Sequence, residues 1–311
     1  MNTCAIIGCG DVGASIGYTI IHGGLFSKLI LIDLNHDKAV GEAMDMSHAV
    51  PFAKPVQVVA GSYKDLADCS VIVITAGANQ KPDETRIDLV SRNTKIMESI
   101  IDQITAYNTD AILLVVSNPV DIMTYVALKR SNFPKERVIG SGTVLDTARL
   151  KYLLAQKLTI DSRNVHAFVI GEHGDSELPV FSSANISGID FVDFWRAHDK
   201  TAQDMEDIFD DVRNSAYDII KRKGSTYYGI AAAVERILQA IMRDENSVLT
   251  VSSLVEGSYQ LHDLCIGLPS IIGRTGVKHI IEVPLNDYEA QQLHTSATTV
   301  KDVIGTIGYR K

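Results

Sequence analysis

Short apolar runs separated by longer stretches with helical spacing organise the first 140 residues of the chain. Continuous, largely β-branched runs cover residues 4–7, 29–32, 56–60, 71–75, 111–116 and 138–139, bounded by Gly, Asp or Asn. Runs of this length predict strands covered on both faces. Between them, residues 11–21, 38–48 and 87–107 repeat apolar positions every three or four residues, which predicts amphipathic helices. Strand and helix in alternation predict a parallel, doubly wound sheet. Such sheets bind ligands beyond the carboxyl ends of their strands, where the strand order reverses.

After residue 140 the rhythm changes. Long helices are predicted over residues 143–157, 200–223, 226–242 and 287–307, with Lys221, Arg222 and Lys223 closing the second where cations suit the helix dipole. Strand-like runs fall at residues 248–254, 271–272 and 277–281, with turns predicted at Gly257, at Gly267-Leu268-Pro269 and at Gly276. This half predicts an α+β arrangement. No repeat, low-complexity tract or Pro/Ser linker divides the chain, so the halves are expected to pack closely.

The first chemical signal lies at the end of the first strand. Gly8-Cys9-Gly10-Asp11-Val12-Gly13 matches GxGxxG and opens the first helix. Glycines there permit a tight turn, close backbone approach to a pyrophosphate and close helix–strand packing. Asp33 ends the second strand twenty residues after Gly13, where a carboxylate accepts from both adenosine-ribose hydroxyls. It repels a 2′-phosphate, and Leu34-Asn35 brings no compensating cation, so NAD is expected over NADP. The fold expectation is therefore α/β: a Rossmann-type doubly wound parallel sheet over residues 1–140, followed by an α+β substrate domain over residues 141–311.

Composition narrows the partners. The 311 residues are 46% hydrophobic and 22% charged, a globular balance, with a net charge of −9. An acidic surface repels polyphosphate backbones, so nucleic acid is not an expected partner. No apolar run is long enough to span a membrane, and the first residues lack the basic-then-apolar order of a secretory signal, so the cytoplasm is the expected compartment. Cys4, Cys9, Cys69 and Cys265 show no CxxC spacing, which predicts reduced packing thiols and no metal site.

The second chemical signal is Gly171-Glu172-His173-Gly174-Asp175-Ser176, directly after the apolar run 167–170. Glycines on either side suit a backbone that holds an imidazole at a cleft. Histidine titrates nearest neutrality, so it can give a proton in one direction and take it back in the other. Three further segments stand in order along the chain: Ala76-Gly77-Ala78-Asn79-Gln80-Lys81-Pro82, Val116-Ser117-Asn118-Pro119-Val120-Asp121, and Gly140-Ser141-Gly142-Thr143-Val144-Leu145-Asp146-Thr147-Ala148-Arg149.

With these motifs the whole chain resembles the lactate/malate dehydrogenase superfamily, and it looks most like the bacterial lactate branch. The resemblance implies reversible, NADH-dependent reduction of pyruvate to L-lactate. It implies that His173 is the proton donor, that Asp146 orients it, and that Arg149 grips the substrate carboxylate with its planar fork. It further implies that Arg86, on a mobile loop over residues 79–91, polarises the carbonyl. Asn118 would contact substrate or the nicotinamide ribose, Thr226 would border the pocket and Ile230 would lie against the nicotinamide ring. Gly8, Gly10, Val12, Gly13, Asp33, Gly77 and Ala78 would complete the cofactor contacts.

Gln80 carries the expected substrate choice. The malate branch typically has Arg there, pairing with a second carboxylate, whereas a neutral Gln leaves that charge unpaired. Lys81 is an adjacent cation whose alternation along the loop points it elsewhere, and Asp83 stands where glycine is frequent. Malate dehydrogenase or another L-2-hydroxy acid dehydrogenase is the alternative. A non-catalytic NAD-binding protein of this fold would be expected to lack one of His173, Asp146, Arg86 or Arg149, and all four are present. The resemblance also implies a homotetramer, or a dimer in equilibrium with it. A fructose 1,6-bisphosphate site would match Lys151, where Arg is usual, and His166.

Overall fold

The structure is a computed structural model that describes residues 2–78 and 86–309, with Arg86 described by its backbone alone. Gln80, Lys81, Asp83 and the Arg86 side chain therefore lie outside the described residues. The first half runs β1 (Thr3–Ile7), α1 (Asp11–Gly23), β2 (Lys28–Ile32), α2 (His36–Ala49), β3 (Gln57–Ala60), β4 (Val71–Ile74), α3 (Arg86–Thr105), β5 (Ile112–Val115), α4 (Val120–Ser131) and β6 (Val138–Gly140). The second half runs α5 (Val144–Leu158), β7 (Val165–Ile170), β8 (Leu178–Ile186), β9 (Ile189–Asp190), α6 (Phe191–Ala197), α7 (Ala202–Lys223), α8 (Tyr228–Met242), β10 (Ser247–Glu256), β11 (His262–Gly273), β12 (Gly276–Ile280) and α9 (Asp287–Thr306).

Six strands pair in parallel in the order β3-β2-β1-β4-β5-β6. Neighbouring side chains along β1 enter opposite cores: Ala5 and Ile7 join one buried cluster, Cys4 and Ile6 the other. The continuous apolar runs follow from that two-sided burial. The order reverses between β1 and β4, so the glycine turn after β1 and the Ala76–Ala78 stretch after β4 flank one crevice. All four cysteines are free and buried.

Two features of the second half differ from the pattern-based expectation. β10, β11 and β12 do not form a sheet of their own. They extend the first one beyond β6 as antiparallel strands, Ser252 pairing with Gly140, to give nine strands among the described residues. The separate sheet is the antiparallel β7-β8-β9, packed with α5, α6 and α7 around Phe191 and Trp195.

Gly267-Leu268-Pro269, predicted as a turn, lies inside β11. Gly267 and Gly171 exchange backbone hydrogen bonds of 2.9 and 3.0 Å, tying β11 to the end of β7. A Cβ at Gly267 would stand 2.8 Å from Thr143 Oγ1 and 3.0 Å from Gly171 O, so glycine here marks a close backbone approach. Pro269 pairs with Thr250, whose carbonyl accepts instead from Thr143 N, so no ladder bond asks for the missing N–H.

Helix ends are fixed by capping. Thr201 and Asp204 cap α7 reciprocally, and Asn286 and Glu289 do the same for α9. Glu289 also accepts from the backbone of Phe181 and Ser182, which locks α9 onto β8.

Gly267→Ala is expected to cost about 1–3 kcal/mol through overpacking and to loosen the β7–β11 bridge. Urea denaturation measures it, and an unchanged midpoint would show that the close approach is not needed.

Candidate active site

The crevice at the strand reversal is a groove of about 880 Å³. Gly8, Gly10, Asp33, Gly77 and Ala78 line it, as does one face of α3 between Arg92 and Gln103. Gly8 has a φ of +104°, and a Cβ there would fall 2.6 Å from Ala76 N, while one on Gly13 would fall 1.9 Å from Gly8 O. These two glycines are packing requirements of the turn. Gly10 differs: no described protein atom lies within 4 Å of its Cβ position, which leaves open backbone facing the groove at the start of α1. That opening fits a pyrophosphate at a helix N-terminus.

Asp33 is half-buried, with one oxygen accepting from Cys9 N at 2.7 Å and the other from Asn35 N at 2.9 Å. The carboxylate thus braces the glycine turn from the second strand as well as facing the groove. His36 and the cation Lys38 also line this end, two residues that inspection of Leu34-Asn35 alone did not count. Val12 and Gly13 pack behind the turn and do not line the groove.

Ala78 is shared with an adjoining cavity of about 350 Å³. Asn118, Asp146, Arg149 and His173 line this cavity together. Each arrives by a different element. His173 follows β7 in the glycine-containing segment that Gly267 holds. Asp146 sits in the first turn of α5 and Arg149 one turn later. Asn118 ends the β5–α4 connection.

Asp146 is 1% exposed, and both its oxygens are engaged. His173 Nδ1 lies 2.6 Å from Oδ2, and Arg149 Nη1 donates to Oδ1 at 2.7 Å. Burial pushes Asp146 up, but the His173 and Arg149 charges overcome it and hold the carboxyl below its ordinary range. Burial alone would push the His173 imidazole down; the Asp146 charge and hydrogen bond prevail and lift it to about 9. The imidazole therefore holds a proton at neutral pH, with Nδ1 facing Asp146. A cavity with an anion clamp beside an imidazolium can bind a small carboxylate and protonate a developing alkoxide.

Sequence inspection assigned no role to three further polar side chains at the site. Asn93, on the inner face of α3, accepts from Ala78 N at 2.8 Å and donates to Asn118 O at 3.0 Å, joining the groove to the cavity. A buried Asn on an otherwise apolar stripe was the available signal. Glu177 is 6% exposed in the cavity wall. Asp121, an acid inside the buried helix α4, accepts from His173 N at 2.8 Å and fixes that backbone.

The remaining expected residues lie elsewhere or are not described. Thr226 is half-buried before α8, and Ile230 packs against the core on α8; neither lines the described walls of groove or cavity. Gln80 and the Arg86 side chain fall outside the described residues. Lys151 is half-buried on α5 and His166 is exposed on β7.

A doubly wound sheet with a glycine-turn groove at its reversal, opening onto an imidazole–carboxylate–guanidinium cavity, defines an NAD-dependent oxidoreductase. The NAD-binding domain of lactate/malate dehydrogenase matches residues 2–140, and its alpha/beta C-terminal domain matches residues 143–308. The chain belongs to the lactate/malate dehydrogenase family.

It is 52% identical to an L-lactate dehydrogenase of Acetivibrio thermocellus over 304 residues, 97% of this chain and 96% of that one. It is 51% identical to an L-lactate dehydrogenase of Priestia megaterium over 298 residues, covering 96% and 94%. Among solved structures, the ligand-bound minor L-lactate dehydrogenase of Enterococcus mundtii superposes with a TM-score of 0.96 at 40% identity over 98% of both chains. Among the described residues, no helix is long and apolar enough to cross a membrane.

Asp121 offers a test of the site's electrostatics. Its Oδ1 and the Ser252 hydroxyl are buried without a well-aligned hydrogen-bond partner among the described residues, and burial pushes the carboxyl up to about 6. The unfolded chain releases this proton near the ordinary carboxylate value, so between about pH 4 and 6 the native state holds more protons and loses stability as pH rises. Asp121→Asn keeps the acceptor for His173 N and removes the charge. It is expected to unfold at higher urea than the parent at pH 7, by on the order of 1–3 kcal/mol, and to lose that advantage towards pH 4.5. An advantage equal at both pH values would contradict the ionisation argument.

Proposed function

We infer that the chain is an L-lactate dehydrogenase that reversibly reduces pyruvate to L-lactate with NADH. The observation that carries this reading is the convergence of His173 and Arg149 on the buried Asp146 in a cavity adjoining the dinucleotide groove. The identity to curated L-lactate dehydrogenases over nearly the full chain supports it.

NADH, when bound, supplies the hydride. The chain's own residues do the rest. Arg149 spends one nitrogen on Asp146 and offers the other donors of its fork to the substrate carboxylate. His173 donates its Nε2 proton to the carbonyl oxygen, and Asp146 stabilises the imidazolium before that transfer and holds the ring's orientation after it. Asn118 stands at the junction of cavity and groove. Arg86, at the start of α3, polarises the carbonyl, and a neutral Gln80 brings no partner for the second charge of a dianion.

The same reading extends to regulation and assembly. Lys151 and His166 form a fructose 1,6-bisphosphate site in a homotetramer of the bacterial type, and the enzyme works in the cytoplasm on residues 1–140 for cofactor and 141–311 for substrate.

Oxidation of NADH is expected with pyruvate well above oxaloacetate, falling as pH rises through about 9 where His173 loses its proton. Gln80→Arg is expected to move the ratio of efficiencies toward oxaloacetate by ~10-fold or more. A ratio left at the parent value, or faster turnover of oxaloacetate by the parent, would overturn the lactate assignment.

Fructose 1,6-bisphosphate is expected to lower the pyruvate KM more at pH 6 than at pH 8, the direction expected of a bisphosphate site that includes an imidazole. Kinetics indifferent to it across that range would remove the allosteric site.

A further inference from the structure

The reaction as derived leaves one buried acid of the cavity wall without a task. An oxygen of Glu177, an oxygen of Asp146 and a ring nitrogen of His173 all lie within 4.8 Å of one another. Both Asp146 oxygens already accept, from His173 and from Arg149. Two ionised carboxylates at this separation in a buried wall repel strongly, so the arrangement persists only if one of them keeps a proton. The cations decide which: their hydrogen bonds go to Asp146.

We propose that Glu177 is a positioning residue, a neutral carboxyl whose O–H is donated to Asp146, leaving the imidazole a single carboxylate partner. Burial, and then the Asp146 charge, push the Glu177 carboxyl up to about 9, in keeping with that geometry. This inference rests on the cavity being a pyruvate site and deepens that reading.

Its consequence is a matter of charge. Arg149, protonated His173 and ionised Asp146 leave one net positive charge among the three groups of this cluster, matched to a monoanionic 2-oxo acid. An ionised Glu177 would cancel it. The other charged or titratable groups lining this cavity are Glu172 and Asp175 from the same segment and Arg213 and Tyr217 from α7, while Asp121 on α4 meets the His173 backbone N–H outside that lining. Glu172 accepts from Ser176, Asp175 from Tyr217, and Arg213 pairs with Asp210, so each has a partner other than Glu177.

Infrared difference spectra of the holoenzyme-competent full chain, parent minus Glu177→Gln, test the proton directly. The expected result at pH 7 is the carbonyl stretch of a protonated carboxylic acid, lost as pH is raised through about 9. Absence of that band at pH 7 would overturn the proposal.

Kinetics test the positioning role. Glu177→Ala is expected to lose about 10-fold in kcat for pyruvate reduction, and Glu177→Gln, which keeps a neutral donor, to recover most of it. In the parent the pyruvate KM should climb above about pH 9 as Glu177 and His173 both lose protons, and in Glu177→Gln the climb should be less steep. A Gln variant as impaired as Ala, or with the parent's KM profile, would count against a neutral donor. The spectrum needs no substrate, so a band without pyruvate turnover sinks only the functional reading, and turnover without a band sinks only the role of Glu177.

Discussion

The site depends on one carboxylate that cannot stand alone. Asp146 is buried at the first turn of α5. An isolated ionised carboxyl in that position would neutralise itself before it would stay charged. It remains an anion because a guanidinium and an imidazole each take one of its oxygens. The interaction works in both directions: the partners keep Asp146 ionised, and Asp146 keeps the imidazole protonated near neutrality. Removing either partner would leave a buried charge uncompensated, which is why such a cluster is far more costly to break than a surface ion pair.

The rest of the architecture holds these groups where they meet. Arg149 needs no long-range device, since it lies one helical turn from Asp146. The imidazole does, because it comes from a loop. Gly171 and Gly267 draw β7 against β11 by two backbone hydrogen bonds, and Asp121 takes the His173 N–H from the opposite side. Ser296 on α9 accepts from Glu172 N, bracing the residue just before His173. Helices and strands from both halves therefore fix one side chain, and the sheet running unbroken from β3 to β12 is the frame that makes this rigid.

How much of this was readable in advance follows from the range of the interactions. β1 to β6 were legible because two-sided burial writes itself as a continuous apolar run. β8 was not, since its burial alternates and its sequence Leu178–Ile186 carries serines and an Asn on the open side. That β10 to β12 join the first sheet was invisible, because the decisive pairing, Ser252 with Gly140, spans the chain and leaves no local mark. Gly267 looked like a turn because glycine serves both turns and close approaches, and only the facing strand tells them apart. The His173, Asp146 and Arg149 cluster was legible through its motifs. Asp121 and Asn93 were not, although each interrupts an apolar helix face, because their partners lie far away in sequence.

Charge balance links the chemistry to substrate choice. With Glu177 neutral, the cluster of Asp146, Arg149 and His173 carries one more positive charge than negative. A monoanion neutralises it; a dianion overshoots by one and requires a further cation in a space where water is being excluded and each unit charge counts for more. Position 80 could supply that cation, and in this chain it is Gln. A neutral residue at the loop and a proton retained on Glu177 are then two parts of one device. The first denies the second charge of a larger acid a partner, and the second keeps the single charge of the smaller acid from meeting an already neutral cluster.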